Sequence, residues 1–340
     1  MNFMHADDRI HVVGESTLVG AAIVRRLRAS GHGNLVSACG LAPDFTQPAA
    51  VDAFYARERP AHVFIAGASL LPLRSAGERP AAQLRSGLLM ATNLIHAAWR
   101  RGVRRLLFLG EAVVDVGEVG WPLEGDVPGS GHAEDGERYE RAGAAAAITL
   151  CSAYNREYGT DFLAVVPAVV YGPGDSTDPA RSSGVAALVH KAHCALVAGE
   201  DVLRVTGQRI PQGEFIYCDD LAAACVHLLG RCDRDDVGEC VSVGSGKAAS
   251  AEETVRTVAR VIGFRGDVVV EPAVEPSGGP EGGAAAPRVA TSANSGLVGH
   301  MVLDSSRIRA QGWRPLVAFE RGVELVYHDY LVRHVVGALL

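Results

Sequence analysis

The chain has 340 residues, of which 48% are hydrophobic and 21% are charged, and its formal net charge is −7. A chain of this length buries a core without disulfides or metal ions, and its acidic balance excludes the basic surface of a nucleic-acid-binding protein. No apolar stretch reaches the ~18 residues of a membrane-spanning helix, and the polar start of the chain lacks a signal-peptide pattern, so we expect a cytoplasmic protein with no membrane partner.

The first half of the chain alternates β-branched segments with amphipathic helical segments. Strands are predicted at Ile10–Val13, Asn34–Ser37, His62–Ala66, Arg105–Leu109 and Phe162–Val166. Helices are predicted at Thr17–Ser30, Ala49–Arg59, Ala81–Arg101 and about Arg138–Tyr158. This alternation is typical of a parallel sheet covered by helices on both faces. The sequence therefore predicts an α/β protein with a Rossmann-type doubly wound sheet.

The pattern loosens after Tyr171-Gly172-Pro173-Gly174, where turn residues become frequent. Glu214–Val243 again has the pattern of strand, helix and strand, and we expect it to return to the first sheet. Residues 275–299 are rich in Gly, Ala, Pro and Ser, which predicts a mobile loop. The predicted organisation is a dinucleotide-binding domain of residues 1–173 and about 214–246, and a smaller, irregular C-terminal substrate lobe of about 174–213 and 247–340.

The cysteines include no Cys-x-x-Cys pair, and we predict neither a disulfide framework nor a metal site. Cys218, Cys225 and Cys232 are seven residues apart, which places them on one helical face as buried packing residues. A second group, His190, His193 and Cys194, has the spacing of one side of a zinc site, but nothing nearby supplies the remaining ligands.

The first strand runs directly into the turn Gly14-Glu15-Ser16-Thr17-Leu18-Val19-Gly20 and then a helix. This is the position at which a dinucleotide pyrophosphate lies on a helix N-terminus, so Gly14, Thr17, Leu18, Val19 and Gly20 are candidate cofactor-binding residues. Thr17 stands where the motif has a glycine that lets the backbone approach the phosphates. The turn therefore predicts either weak dinucleotide binding or a tight turn without a ligand.

Several segments, in the right order, resemble the GDP-L-fucose synthase family of extended short-chain dehydrogenases/reductases (SDRs). They are His11–Gly20, Asn93–Gly110, Cys151–Asp175, Glu214–Leu229, Val243–Gly246 and Leu303–Trp313. The resemblance implies a Rossmann fold, an NAD(P) cofactor with contacts at Asp44 and Pro167, and a nucleotide-sugar ligand. It also implies that Lys191 is the basic group kept in the substrate region.

The same resemblance implies a Ser, Tyr and Lys catalytic set, and this chain lacks it. No Tyr-x-x-x-Lys occurs in the sequence, and Glu111, Glu140 and Ala144 stand at the serine, tyrosine and lysine positions. Tyr139 is one residue from the tyrosine position, but that shift rotates a helical side chain by about 100°. The conventional proton path of the family is therefore missing.

Other positions of the family pattern are also replaced. The arginine that receives the 2′-phosphate of NADP falls at Gly40, and the epimerisation cysteine and histidine fall at Val113 and Ser183. The arginine and lysine of the substrate diphosphate fall at Gly213 and Met301. The resemblance thus implies the fold. The residues on which the family's chemistry and its preference for NADP depend are replaced in this chain.

Three functions stay open. The leading one is a non-redox pseudoenzyme or auxiliary subunit in a sugar or natural-product pathway, which requires no cofactor. The alternative is a divergent epimerase or lyase in which Glu111 and Glu140, with Asp115 nearby, form a general acid/base pair. The third is an NAD-dependent nucleotide-sugar epimerase/reductase with relocated catalytic residues.

The helices at 81–101 and 138–158 are predicted to bind a second copy or an SDR homologue, because in the resembling family they form a four-helix bundle. The predicted contact residues are Leu84, Leu88, Leu89, Leu94, Ile95 and Trp99 on the first helix, and Ala144–Ala147, Ile148 and Cys151 on the second. Large side chains that face small ones can interdigitate in such a seam.

Overall fold

The computed structural model describes residues 3–36, 42–66, 80–110, 135–177, 184–206, 213–271 and 302–336. The strands are β1 (Ile10–Val13), β2 (Leu35–Val36), β3 (His62–Ala66), β4 (Arg105–Leu109), β5 (Asp161–Pro167), β6 (Val169–Tyr171), β7 (Val202–Thr206), β8 (Gly213–Tyr217), β9 (Cys240–Val243), β10 (Ala248–Ala249) and β11 (Asp267–Glu271). The helices are α1 (Leu18–Ala29), α2 (Pro48–Glu58), α3 (Pro80–Arg100), α4 (Asp135–Tyr158), α5 (Val185–Ala198), α6 (Cys218–Arg231), α7 (Arg234–Val237), α8 (Ala251–Ile262), α9 (Ser306–Ala310) and α10 (Phe319–Tyr330), with a π-helical turn at Leu331–Val336.

The chain divides into two compact units. The first contains Met1–Val170, Ile216–Ser245 and Leu303–Leu316, and the second contains Tyr171–Phe215, Gly246–Val302 and Val317–Leu340. Residues 303–316 were predicted to belong to the substrate lobe, but they lie in the first unit. Ser305 Oγ accepts a hydrogen bond from Gly244 N at 2.8 Å, and Ile308 is fully buried, so this segment packs within the first unit.

The first unit is built on a six-stranded sheet with the order β2-β1-β3-β4-β5-β9. All neighbouring strands in it are parallel. Every residue of β1, β3 and β4 is buried, as expected for strands with helices on both faces. The predicted Rossmann-type α/β fold is confirmed.

The segment that was predicted to return to this sheet does so in part. Its last strand, β9, pairs with β5, with Val241 opposite Val165. Its first strand, β8, instead pairs antiparallel with β10, with Glu214 opposite Ala248, in a three-stranded sheet that also contains β6.

The cysteines that were predicted to be buried packing residues, Cys218, Cys225 and Cys232, are buried along and just after α6.

The second unit has an aromatic centre. The rings of Phe215 and Phe319 stack with centroids 4.6 Å apart, and Tyr171 lies edge-on to Phe319 at 5.3 Å. A Cβ on Gly322 would lie 2.0 Å from the Tyr171 hydroxyl, so this packing requires glycine there. Helix α5 packs against α8 and α10, and β7 pairs in parallel with β11.

Two further predictions concern the loop at 275–299 and the absence of a membrane-spanning helix. The loop predicted at 275–299 lies outside the described residues. Within the described part of the chain, no helix combines the length and apolarity that are needed to cross a bilayer.

Candidate nucleotide-binding site

The turn after β1 is shaped by two glycines. Gly14 has a φ of 83°, in the left-handed region that favours glycine. A Cβ on Gly20 would lie 1.9 Å from the carbonyl oxygen of Gly14, so the first turn of α1 approaches the β1 turn only because residue 20 has no side chain. Both positions therefore require glycine, as a dinucleotide-binding turn does.

Thr17 closes this turn with its own side chain. Its Oγ1 donates to Gly14 O at 2.7 Å and accepts from Gly20 N at 3.1 Å, so Thr17 is the N-cap of α1. The Gly20 N–H is one of the helix N-terminal donors that a bound phosphate uses in Rossmann folds. Leu18 and Val19 are the first two helical residues, and their N–H groups have no intrahelical acceptor.

The turn lies where the strand order reverses. The chain passes from β1 to β2 on one side and then to β3 on the other side of β1. In open α/β sheets, ligands bind outside the carboxyl ends of the strands at this reversal. The predicted cofactor-binding turn lies at this reversal, and its binding of a cofactor stays a prediction.

Asp44 lies on the segment that leads into α2. Its Oδ1 accepts from Thr46 N at 2.9 Å and from Thr46 Oγ1 at 2.6 Å, and these hydrogen bonds lower the pKa of the exposed carboxyl group. The adjacent carbonyl of Phe45 accepts from Asn93 Nδ2 of α3 at 3.0 Å. The segment is thus fixed to the same unit as the glycine turn, with the Asp44 carboxylate already engaged in a local turn.

Pro167 is the last residue of β5 and lies opposite Val243 of β9. Because the carboxyl ends of parallel strands share one edge, Gly14, Gly110 and Pro167 all lie along that edge of the sheet. Three strand spacings separate β1 from β5, which is about 14 Å. The three positions therefore span about 14 Å along one edge of the sheet.

Lys191 lies in the second unit, on the exposed side of α5. The two histidines beside it have tyrosine partners on α10: His190 Nδ1 is 3.0 Å from the Tyr330 hydroxyl, and His193 Nδ1 is 3.1 Å from the Tyr327 hydroxyl. Burial lowers the pKa of His193, and the neighbouring His190 lowers it further. Among the described residues, no three His, Cys, Asp or Glu side chains converge in a way that would hold a metal ion.

The predicted helix contact needs correction. Leu94 and Ile95 are fully buried, and so are the side chains of Ala144, Ala147, Ile148 and Cys151. They face the protein's own sheet and cannot form a seam with another chain. The outer surface of α3 and α4 presents four aromatic and histidine side chains, of which only Trp99 was a predicted contact residue; they are His96, Trp99, Tyr154 and Tyr158.

These four residues, here called the aromatic patch, contact one another across the two helices. The Trp99 and Tyr158 rings stack with centroids 4.2 Å apart, and His96 Nδ1 is 2.8 Å from the Tyr154 hydroxyl. Tyr158 is 44% exposed. Their i, i+3 and i, i+4 spacings were the available sequence signal, because such residues share one helical face.

Comparison with known proteins shows the family to which the chain belongs. The family model for the "NAD dependent epimerase/dehydratase family" matches residues 10–244. GDP-L-fucose synthase 1 of Arabidopsis thaliana is 32% identical over 323 residues, which are 95% of this chain and 93% of that protein. The GDP-L-fucose synthase of Escherichia coli is 28% identical over 329 residues, covering 95% of this chain and 96% of that protein. The chain belongs to the NAD dependent epimerase/dehydratase family.

A solved structure has a similar fold. A GDP-D-glycero-L-gluco-heptose synthase from Campylobacter jejuni, determined in the presence of NADPH, superposes with a TM-score of 0.75 at 22% identity, and covers 97% of this chain and 99% of that one. This likeness supports the fold alone. The resemblance inferred from the sequence is confirmed.

The cofactor that the epimerase/dehydratase family implies fits the glycine turn in part. Gly14 and Gly20 leave the space that the turn requires, and the N–H groups of Leu18 and Val19 are the donors that would hold a diphosphate. Thr17 disfavours cofactor binding for two reasons. Its Oγ1 already accepts the hydrogen bond of the Gly20 N–H, and its Cβ stands where the family motif has a glycine. When bound, a nicotinamide dinucleotide supplies hydride chemistry to its family.

The catalytic region of the family pattern is described only at one position. Glu111 and Asp115 lie outside the described residues, and α4 includes Glu140 without a described side chain. The predicted acid/base pair therefore stays a prediction. Ala144 is described: it is 2% exposed and lies one turn before Ile148, whose Cδ1 is 3.1 Å from the position of a Cβ on Gly110. The face of α4 that includes Ala144 therefore covers the carboxyl end of β4.

Proposed function

We propose that this chain is a non-redox member of the epimerase/dehydratase family that binds a nucleotide ligand and serves as a pseudoenzyme or auxiliary subunit in a sugar or natural-product pathway. The observation that carries the proposal is Ala144, a buried methyl group at the position where the family pattern has lysine. The relatives compared above are named as synthases, so this chain would differ from them in lacking their reaction.

The missing lysine matters for proton transfer. An unperturbed tyrosine has a pKa of about 10, so a Tyr hydroxyl exchanges protons efficiently near pH 7 only when a neighbouring cation lowers that pKa. Ala144 has no charge and no hydrogen-bonding group, and Glu140 stands in place of the tyrosine itself. Replacing both partners removes the proton path and the ribose contact together.

Weak nucleotide binding fits the glycine turn. The self-capping of α1 by Thr17 leaves two helix N-terminal donors, Leu18 N and Val19 N, and Gly40 offers no cation for a 2′-phosphate. A ligand without that phosphate, such as NAD or a nucleotide sugar, is therefore favoured over NADP.

An auxiliary role needs a partner, and we propose that the partner is a second copy or an SDR homologue that docks on α3 and α4. Support comes from the aromatic patch and from the half-buried Leu88 and Leu89, which extend the same apolar surface along α3. Tryptophan and tyrosine supply large contact area at a low cost in side-chain entropy, and they are enriched at interfaces.

The test is turnover by the purified wild-type protein. The protein is incubated with GDP-4-keto-6-deoxymannose and either NADPH or NADH, and oxidation of the reduced cofactor is followed by its absorbance. An active GDP-L-fucose synthase serves as the positive control. We expect no turnover above background. A rate within tenfold of a typical enzyme, about 10 s⁻¹, would show that the chain uses relocated catalytic residues. Mass spectrometry of protein purified from its native host would identify the bound nucleotide and the partner chain.

A further inference from the structure

Cys194 differs from the other described cysteines in its exposure. Burial raises the thiol pKa to about 12 in Cys151, Cys218 and Cys225, and to about 11 in Cys232 and Cys240. Cys194 lies on the outer side of α5 and is exposed. A buried thiol with a raised pKa is inert, because the thiolate is the nucleophilic form.

His190 lies one helical turn before Cys194 and faces it. Its Nε2 is 3.8 Å from Cys194 Sγ, within hydrogen-bonding reach for sulfur. Its Nδ1 is 3.0 Å from the hydroxyl oxygen of Tyr330 on α10. When Nδ1–H donates to that oxygen, the lone pair of Nε2 is directed at the thiol, because the bond made by one ring nitrogen fixes the tautomer of the other.

Tyr330 holds the imidazole in this orientation. Its side chain is 4% exposed, and its ring lies edge-on to that of His190 with centroids 5.7 Å apart. Three side chains are thus arranged as nucleophile, proton acceptor and orienting group, which is the general geometry of an activated nucleophile. A lone surface cysteine has neither of the last two.

We propose that Cys194 is a nucleophilic thiol at which soft electrophiles and peroxides modify the protein, with His190 as the proton acceptor and Tyr330 as a positioning residue. In alkylation the Sγ–H proton passes to His190 Nε2, the S–C bond forms and the leaving group departs as an anion. With hydrogen peroxide the S–O bond forms as the O–O bond breaks. Sulfur is oxidised to sulfenic acid, and the departing hydroxide takes the proton to form water.

His193 provides a matched control. It lies on the same helix and makes the equivalent bond, with Nδ1 3.1 Å from the Tyr327 hydroxyl. It is adjacent to Cys194 in sequence, so the two side chains point about 100° apart around α5. Replacing His193 removes an imidazole from the same α5–α10 contact without removing the group that faces the thiol.

The experiment measures the rate of carbamidomethylation by iodoacetamide at pH 7, followed residue by residue with peptide mass spectrometry on the folded full-length protein. We expect Cys194 to react before every other described cysteine. His190 can accept the Sγ–H proton as the S–C bond forms, so Cys194 should react faster than a surface thiol without such an acceptor. His190→Gln should therefore slow the reaction about tenfold, Tyr330→Phe should slow it less, and His193→Gln should leave it unchanged.

Three results of the alkylation experiment would overturn the proposal. The first is a Cys194 rate in His190→Gln within twofold of the wild type, and the second is an equal slowing in His193→Gln. The third, which does not depend on the folding of any variant, is a wild-type rate no higher than that of a synthetic peptide spanning 188–199. Trapping of sulfenic acid by dimedone after peroxide treatment should follow the same order among the variants, and an even distribution over all cysteines would also contradict it.

Discussion

The hydroxyl of Thr17 donates a hydrogen bond of 2.7 Å to the carbonyl oxygen of Gly14 and so closes the turn that the epimerase/dehydratase fold offers to a diphosphate. The Oγ1 atom of Thr17 also accepts a hydrogen bond from Gly20 N, so that this N–H group is not available to a ligand. We therefore expect the Thr17 side chain to compete with a bound phosphate for the helix N-terminus and to weaken dinucleotide binding.

Replacing Thr17 with glycine should strengthen dinucleotide binding. Thr17→Gly frees the Gly20 N–H, and one added hydrogen bond to a phosphate corresponds to about a tenfold lower Kd. The loss of the N-cap should cost only a few tenths of a kcal/mol, because glycine is itself an acceptable cap. Isothermal titration calorimetry with NAD measures the change.

Ser16→Gly is the matched control for this variant, because Ser16 lies in the same turn but is exposed and is not the cap of α1. It should leave the Kd unchanged. A Thr17→Gly protein that binds NAD no better than the wild type would show that the turn serves packing alone.

Gly20→Ala should destabilise the first unit. The added Cβ would lie 1.9 Å from the Gly14 oxygen, so the β1 turn or α1 must shift. Overpacking against backbone costs about 3 kcal/mol, and the melting temperature should fall by several degrees. Gly33→Ala is the control, because no atom lies within 4 Å of a Cβ there and its φ is not in the left-handed region. Equal melting temperatures for the two variants would contradict the geometry of the turn.

Three strands of the first unit were predictable because every residue in them is buried. Ile10–Val13, His62–Ala66 and Arg105–Leu109 have the predicted bounds, since strands covered on both faces are continuous apolar runs. Contacts between distant segments were not predictable in this way. The Ser305–Gly244 hydrogen bond joins residues that are 61 apart in the sequence, and the hydrophobic pattern of neither segment predicts it.

Helix periodicity likewise identified apolar residues on α3 and α4 without showing what covers them. Leu94 and Ile95 face the protein's own sheet, whereas Trp99 and Tyr158 stack on the outer side. A helix that lies on a sheet and also binds a partner has two apolar faces, and a single hydrophobic stripe does not distinguish them.

Acid should destabilise the first unit through His11. This imidazole lies in β1 without solvent exposure, and burial lowers its pKa from 6.5 to about 4. The unfolded chain takes up a proton below pH 6.5, whereas the folded protein does so only near pH 4. Stability is therefore unaffected by this group above pH 6.5, and it declines as the pH falls toward 4.

The expected loss from His11 is about 2 kcal/mol between pH 7 and pH 5, measured from urea unfolding curves at the two pH values. His11→Asn keeps a polar group near the Tyr55 hydroxyl, which is 3.2 Å from His11 Nδ1, and should remove most of this pH dependence. His5→Gln, at an exposed histidine, should retain it. An unchanged pH dependence in His11→Asn would assign the acid sensitivity to other groups, such as His62, whose pKa is also lowered by burial.

Ala146→Arg should convert the proposed dimer or heterodimer to a monomer. Ala146 is half-buried on α4, beside the buried Ala147, and a guanidinium group there would enter the proposed contact with the partner chain unpaired. Ala198→Arg makes the same chemical change at an exposed alanine at the end of α5, which is not part of the proposed contact surface, and should leave the oligomeric state unchanged. Sedimentation velocity at micromolar concentration measures both variants against the wild type. A wild type that sediments as a monomer, with no partner recovered from its host, would remove both the α3/α4 interface and the auxiliary-subunit proposal that depends on it.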